Sequence, residues 1–195
     1  MAEALDTLRT RKKAATRQSL HEAALRLAVE RGLDGVTVED IADDAGVSRR
    51  TFSNYFANKE DAILHADRER TAELVALVEG RPAGEPPWQA LRAATGVLYR
   101  AQATPDPEWV TQLRLLRRHP SLLARQAGDH ITLEQDLAAV LIRRGHDLDR
   151  ETAQLMASTF LTVVRTASVL WLEEPGKQPL PDVVDRLLGR LRFEG

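Results

Sequence analysis

Proline placement constrains this chain more than any other feature. The nine prolines fall only at 82–87, 105–107, 120 and 175–181; none precedes Pro82 and none lies between Ser121 and Glu174. An interior proline removes a helix hydrogen bond and clashes with the preceding turn, so the proline-free stretches are where long helices are permitted. Apolar residues recur three and four apart through those stretches, and no run of four to eight β-branched or aromatic residues alternates with polar ones. The expectation is an all-α protein of about nine helices.

The expected helices are Thr10–Arg31, stopped by Gly32; one capped by Thr37 and ended by Gly46; one capped by Ser48; Asn58–Glu79; Pro87–Ala103; Pro107–Arg118; Ser121–Arg144; Asp149–Glu174; and Pro181–Arg192. The first eight or so residues and parts of the proline loops are expected to be disordered. With 195 residues the chain is large enough for one domain or a small head on a larger body.

Absent cysteine excludes disulfides, thiolate zinc sites and a thiol nucleophile. The start of the chain lacks the apolar core of a secretion signal, and the longest uncharged run, Thr152–Val164, is short of the ~18 apolar residues of a membrane span. A cytoplasmic protein that makes no use of membrane is expected. Positive and negative charges nearly cancel, 27 Lys plus Arg against 29 Asp plus Glu, so the whole chain is no polycation.

Two short helices joined by Ala45-Gly46-Val47, with a longer helix on each side, form a candidate helix-turn-helix. In the second, Phe52 and Phe56 at i and i+4 supply a buried side, while Ser48, Arg49, Arg50, Thr51, Ser53 and Asn54 are polar hydrogen-bonding residues. Val47 before the cap and Phe52 at the fourth helical position make a hydrophobic staple. Arginine suits guanine O6 and N7, asparagine suits adenine N6 and N7, and small hydroxyls let a helix approach the groove. A merely solvated face is the alternative. Arg9, Arg11, Lys12, Lys13 and Arg17 add five cations in nine residues without an acid, as in an arm that follows phosphates; solvation is again the alternative.

The stretch Thr37-Val-Glu-Asp-Ile-Ala-Asp-Asp-Ala-Gly-Val-Ser-Arg-Arg-Thr-Phe-Ser-Asn-Tyr-Phe-Ala-Asn-Lys-Glu60 resembles the signature of the TetR/AcrR transcriptional regulators. The resemblance is close over Gln18–Leu64. It implies a helix-turn-helix DNA-binding domain over residues 1–57 and a ligand-binding and dimerisation domain over 58–195. It also implies a homodimer that sets one helix per subunit in the major groove of a palindromic operator, and hence a nucleoid-associated protein. Thr37, Thr51, Tyr55 and Lys59 would contact phosphates; Ser48, Arg49, Arg50, Ser53 and Asn54 would face bases or groove. The position of Ser53 often holds an aromatic residue in the family, so the shorter serine shifts the burden to Arg49 and Arg50. Repression relieved by a small, largely apolar ligand is the implied mechanism.

The helix over Asp149–Glu174 is apolar on nearly all sides, which fits either a deeply buried helix or one shared between a core and a partner. Paired with the last helix it would build a four-helix dimer interface, with Ala157, Val164, Ala167, Trp171, Val184 and Leu188 as candidate contacts. One self-contained core is the alternative. The resemblance places the ligand cavity within about Leu74–Phe160. Trp88, Leu91, Leu98, Trp109, Leu113, Leu116, Met156 and Phe160 are apolar candidates for it, and Thr95 and Gln112 polar ones. Ordinary core packing competes for each. Similarity of the Trp109–Trp171 stretch to family members that respond to acyl-coenzyme A makes an acyl thioester one candidate effector. Arg114, Arg117, Arg118 and Arg125 could hold an anion or simply be solvated.

No phosphate-binding glycine loop, H-E-x-x-H or Glu-x-x-His pair is present, and the five histidines, His21, His65, His119, His130 and His146, have no i, i+4 mates. No cofactor or metal is expected. The rival functions are a constitutive DNA-binding protein without effector and an all-α enzyme acting on an apolar chain.

Overall fold

The described residues form ten α-helices and one short 3-10 turn, and no strand occurs among them. The computed structural model describes residues 2–100, 107–145, 147–174 and 177–193; for 2–8, 100 and 107 it describes the backbone alone. His146 and the expected helical residues 101–103 lie outside the described residues. The helices are α1 (Ala2–Arg31), α2 (Val38–Asp44), α3 (Arg49–Ser53), α4 (Lys59–Ile63), α5 (His65–Glu79), α6 (Pro87–Arg100), α7 (Pro107–Arg118), α8 (Pro120–Arg143), α9 (Arg150–Glu173) and α10 (Leu180–Leu188). The 3-10 turn covers Leu33–Gly35.

Two expectations about single elements change. Helix α1 begins at Ala2, so the residues expected to be disordered continue the first helix. The single helix expected over 58–79 is broken at Leu64, where φ is -85° and ψ is 4°. Asp61, Ala62, Ile63, Leu64 and His65 are all buried. Five consecutive residues circle a straight helix, which on one body can bury only a stripe, so the break lets all five turn inward.

The chain divides into two compact units. The first holds residues up to Asp67 together with Pro107–Gln126, the second Arg68–Asp106 together with Ala127–Gly195. The compact unit that holds the helix-turn-helix thus runs past residue 57. Its core joins Leu20, Leu27, Ile41, Phe52, Ile63 and Leu64 to Leu115, Leu116 and Leu122, which arrive from α7 and the start of α8. Leu113 packs against the same cluster. Polar contacts support this packing: Arg125 Nε lies 2.6 Å from the largely buried Asp61 carboxylate, and Gln126 Nε2 donates to Asp67 at 3.1 Å.

In the second unit α10 packs against α9 and α6. The Trp88 ring sits 4.8 Å from Phe193 and 6.5 Å from Phe160, with its indole N–H on Leu188 O at 3.4 Å. The Arg144 guanidinium collects the carbonyls of Val78, Arg81, Pro82 and Glu85, which fixes the end of α5 and the turn after it. Helix α9 is long and apolar enough to cross a membrane by length and composition alone. Run length therefore does not by itself exclude a span; what the structure shows is Ala153, Met156, Ala157, Phe160, Ala167 and Trp171 buried within the unit.

The residues expected at a dimer interface differ in exposure. Ala157, Ala167, Trp171, Val184 and Leu188 are each at most 5% exposed and fill their own subunit's core; Val164 is half-buried. The exposed residues of α9 include Leu155, Thr162, Thr166, Val169 and Leu170, together with the charged Glu151, Arg165 and Glu173.

Candidate nucleic-acid interface

Side-chain oxygens start all three short helices of the head. Thr37 accepts from Asp40 N (3.1 Å) and Asp40 accepts from Thr37 N (2.9 Å), a closed capping box for α2. The Thr37 hydroxyl also donates to Asp40 at 2.6 Å. These bonds from Thr37, side chain first and backbone second, hold the Asp40 carboxyl below the usual carboxylate range. Ser48 caps α3 by accepting from Thr51 N at 3.1 Å, and Asn58 caps α4 by accepting from Asp61 N at 2.8 Å.

The turn between α2 and α3 depends on Gly46, whose φ of 68° is open to glycine and strained for residues with a Cβ. Gly46 N donates to Asp43 O (3.1 Å) and Val47 N to Ala42 O (2.9 Å), the double bond pattern that ends a helix and reverses the chain. Val47 then packs against the head core that contains Phe52.

Helix α3 is divided as the sequence suggests. Phe52 and Phe56 are buried, their rings 5.8 Å apart, while Ser48, Arg49, Arg50, Ser53 and Asn54 are exposed. Thr51 is half-buried, its hydroxyl 2.9 Å from that of Ser48. Tyr55 is half-buried with the Arg17 guanidinium 5.9 Å from its ring centroid, a cation–π contact that ties α1 to the end of α3. Arg49 reaches Glu39 of α2 at 2.8 Å, with both side chains more than half exposed. For Arg50 no such pairing occurs among the described residues.

Lys59 has a structural task that the sequence reading missed. Its ammonium donates to Leu33 O at 2.6 Å and Val36 O at 2.9 Å, bracing the loop before α2 and leaving one N–H for another partner. Lys59→Met is therefore expected to lower stability by about 1–3 kcal/mol, because Val36 O loses the ammonium and Leu33 O keeps only its bond from Val36 N. Thermal melting checks this: a change within about 0.5 kcal/mol would mark an ordinary surface lysine.

His21 was another unread signal. It is fully buried, and its Nδ1 lies 2.8 Å from Ala62 O and so donates, joining α1 to α4. Among the described residues no group of three His, Asp or Glu could hold a metal ion.

The candidate effector residues fall in both units. Trp88, Leu91, Thr95, Leu98, Met156 and Phe160 belong to the second, and Trp109, Gln112, Leu113 and Leu116 to the first. Leu116 is buried in the head core and the partly buried Leu113 packs against it. Arg125 is likewise committed to Asp61 rather than free for an anion. Thr95 lines a cavity of about 360 Å³ along α6 and α10, but its hydroxyl donates to Leu91 O at 2.7 Å. Gln112 is 1% exposed, and its Nε2 has no hydrogen-bond partner among the described residues.

Comparison with known proteins agrees with this geometry. Residues 20–66 match the family described as bacterial regulatory proteins, tetR family, and residues 85–193 match the MftR C-terminal domain. The chain is 34% identical over 172 residues to the HTH-type transcriptional regulator TcmR of Streptomyces glaucescens, covering 84% of this chain and 76% of that one. Among solved structures it is similar to Thermus thermophilus FadR, a transcriptional repressor in complex with lauroyl-CoA, at 25% identity and TM-score 0.60 over 92% of this chain and 97% of that chain. The fatty acid degradation regulator FadR of Bacillus halodurans shares the fold, at 20% identity and TM-score 0.61, over 92% of this chain and 97% of that one.

Proposed function

Because the chain belongs to the TetR family of bacterial transcriptional regulators, we propose that it is a homodimeric repressor that sets α3 of each subunit in the major groove of one half-site of a palindromic operator. The observation that carries this reading is the division of α3: two buried phenylalanines anchor it, and five polar side chains stand exposed on a helix capped at its start by Ser48. In this reading Arg49, Arg50, Ser48, Ser53 and Asn54 face the base edges. Thr51, Tyr55, Thr37 and the remaining N–H of Lys59 hold phosphates.

Dimerisation uses the outward face of α9. Leu155 is 58% exposed and Leu170 46%, and with Thr162, Thr166 and Val169 they form a strip of mixed apolar and hydroxyl character, bordered by the exposed Glu151, Arg165 and Glu173. A twofold copy of the same strip would cover it.

The effector is a small, largely apolar molecule that binds the conformation with mis-spaced recognition helices, lowering operator affinity by its differential affinity for the two states. The relative from Thermus thermophilus holds lauroyl-CoA, which supports an acyl thioester as the first compound to try. Such a protein works in the bacterial cytoplasm on the nucleoid.

Selection of bound fragments from the source genome, followed by anisotropy titration with and without lauroyl-CoA, tests the proposal. The expected product is a palindrome with half-site centres about one helical turn, roughly 34–36 Å, or somewhat more apart. Binding blind to sequence would overturn the regulator reading. Sequence-specific binding that no acyl thioester weakens would overturn the acyl-thioester effector and favour a constitutive DNA-binding protein.

A further inference from the structure

Helix α4 is too short to place itself. It has five residues, little more than one turn, and a turn of that length has no stability of its own in water. Bonds to other elements therefore set its position. Lys59, its first residue, donates to Leu33 O and Val36 O and so ties α4 to the loop that leads into the Thr37 cap of α2. Ala62 O accepts from His21 of α1 at 2.8 Å. The Asp61 carboxylate receives Arg125 Nε of α8 at 2.6 Å, across 64 positions of sequence.

The bond from Arg125 is the one that joins two charges. Asp61 is 6% exposed, whereas Arg125 keeps 41% of its side-chain surface. A buried carboxylate that loses its cation is strongly unfavourable, so without Arg125 the first turn of α4 has to carry Asp61 toward water. The Asp61 amide donates to the side chain of the Asn58 cap at 2.8 Å, and Lys59 lies between these two residues in the same turn. A shift of Asp61 therefore moves Lys59 with it.

We infer that Arg125 is a positioning residue for DNA binding: through Asp61 it holds the first turn of α4 so that the third N–H of Lys59 faces a phosphate. This rests on the DNA-binding reading above and deepens it. Arg125 lies well beyond the tetR-type match, which ends at 66, on an unbroken helix whose residues past Gln126 belong to the second unit. Part of the grip on the DNA backbone is thus set from outside the helix-turn-helix.

The test uses the full-length protein, an operator duplex and an unrelated duplex. R125Q removes the positioning cation, K59Q the phosphate contact, and R125Q/K59Q both. R125Q is expected to reduce the slope of log K against log salt by about 0.9 per subunit on either duplex, as K59Q does, and the double variant by no more than about 0.9. Between 50 and 200 mM salt each variant should then lose roughly 3- to 4-fold less affinity per subunit than the unaltered protein, with base preference unchanged. R125K, whose ammonium reaches as far as the Nε it replaces, should restore the slope. Thermal melting fixes a temperature at which every variant is folded. D61N/R125Q, which leaves no buried carboxylate behind, replaces R125Q should that variant fail to fold, and should show the same reduction. Reductions that add to about 1.8 in R125Q/K59Q would overturn the inference, since Arg125 would then hold a phosphate itself. So would an unchanged slope in R125Q with specific binding retained. Sequence-blind binding by the unaltered protein, with R125Q and K59Q still non-additive, would keep the role of Arg125 and overturn the operator reading. No binding to either duplex would overturn both.

Discussion

Leu122→Ala is expected to destabilise the DNA-binding head by about 2–5 kcal/mol, although Leu122 lies 56 positions beyond the nearest residue of the tetR-type match, which ends at 66. Its side chain is fully buried among Leu20, Phe52, Leu64 and Leu116, so truncation loses transfer free energy and leaves a cavity between helices from opposite parts of the chain. Spread over a protein of this size, the loss corresponds to a thermal midpoint lower by roughly 4–20 °C. Leu123→Ala supplies the control. Leu123 is 48% exposed on the same helix, and its replacement should stay within about 0.5 kcal/mol. Thermal melting followed by operator binding separates the cases: equal midpoints for the two variants would mean that α8 does not complete the head.

Arg50→Ala should have the largest effect on recognition. A bidentate arginine on guanine contributes about 1–3 kcal/mol of discrimination, so the variant should bind roughly 5- to 150-fold more weakly per half-site and accept other bases at one position. Arg50 is the stronger candidate of the two neighbours because Arg49 already holds Glu39 at 2.8 Å and must exchange that pair to reach a base. The pair is exposed, and such contacts contribute about 0–1 kcal/mol, so the exchange costs little and Arg49→Ala is expected to have a smaller effect on base preference than Arg50→Ala. Thr51→Ala is the contrast: it should weaken all sequences alike. Repeating operator selection with each variant provides the measurement, and an unchanged preference at every position would remove Arg50 from the readers.

The head was legible because its signals are local. Thr37, Ser48 and Asn58 lie within three residues of the amides they cap, Gly46 marks its own turn, and Phe52 and Phe56 show their shared face by spacing alone. What the sequence hid depends on distance or on the choice between equivalent faces. Nothing in the pattern around Leu116 or Leu122 points to a partner as remote as Leu20. Lys59 resembles any surface lysine until its two carbonyl partners, 23 and 26 positions upstream, are seen. The α9 helix is apolar all round, so periodicity could not say which face turns inward. Trp171 and Ala167 point to the core, whereas Leu155 and Leu170 stay outside. The break at Leu64 carries no glycine or proline and follows only from the burial of five successive residues.

The late arrival of Leu115, Leu116 and Leu122 also sets an order in time. A nascent chain whose helix-turn-helix has just been made still lacks part of the core that holds it, and at about 5–20 residues per second another 3–12 s pass before Leu122 follows Leu64. During that interval the recognition helix packs on a core that lacks three of its buried leucines. Completion of the head core thus waits until the segment carrying α7 and the start of α8 has been synthesised, and a chain cut before residue 122 is expected to hold its recognition helix less firmly.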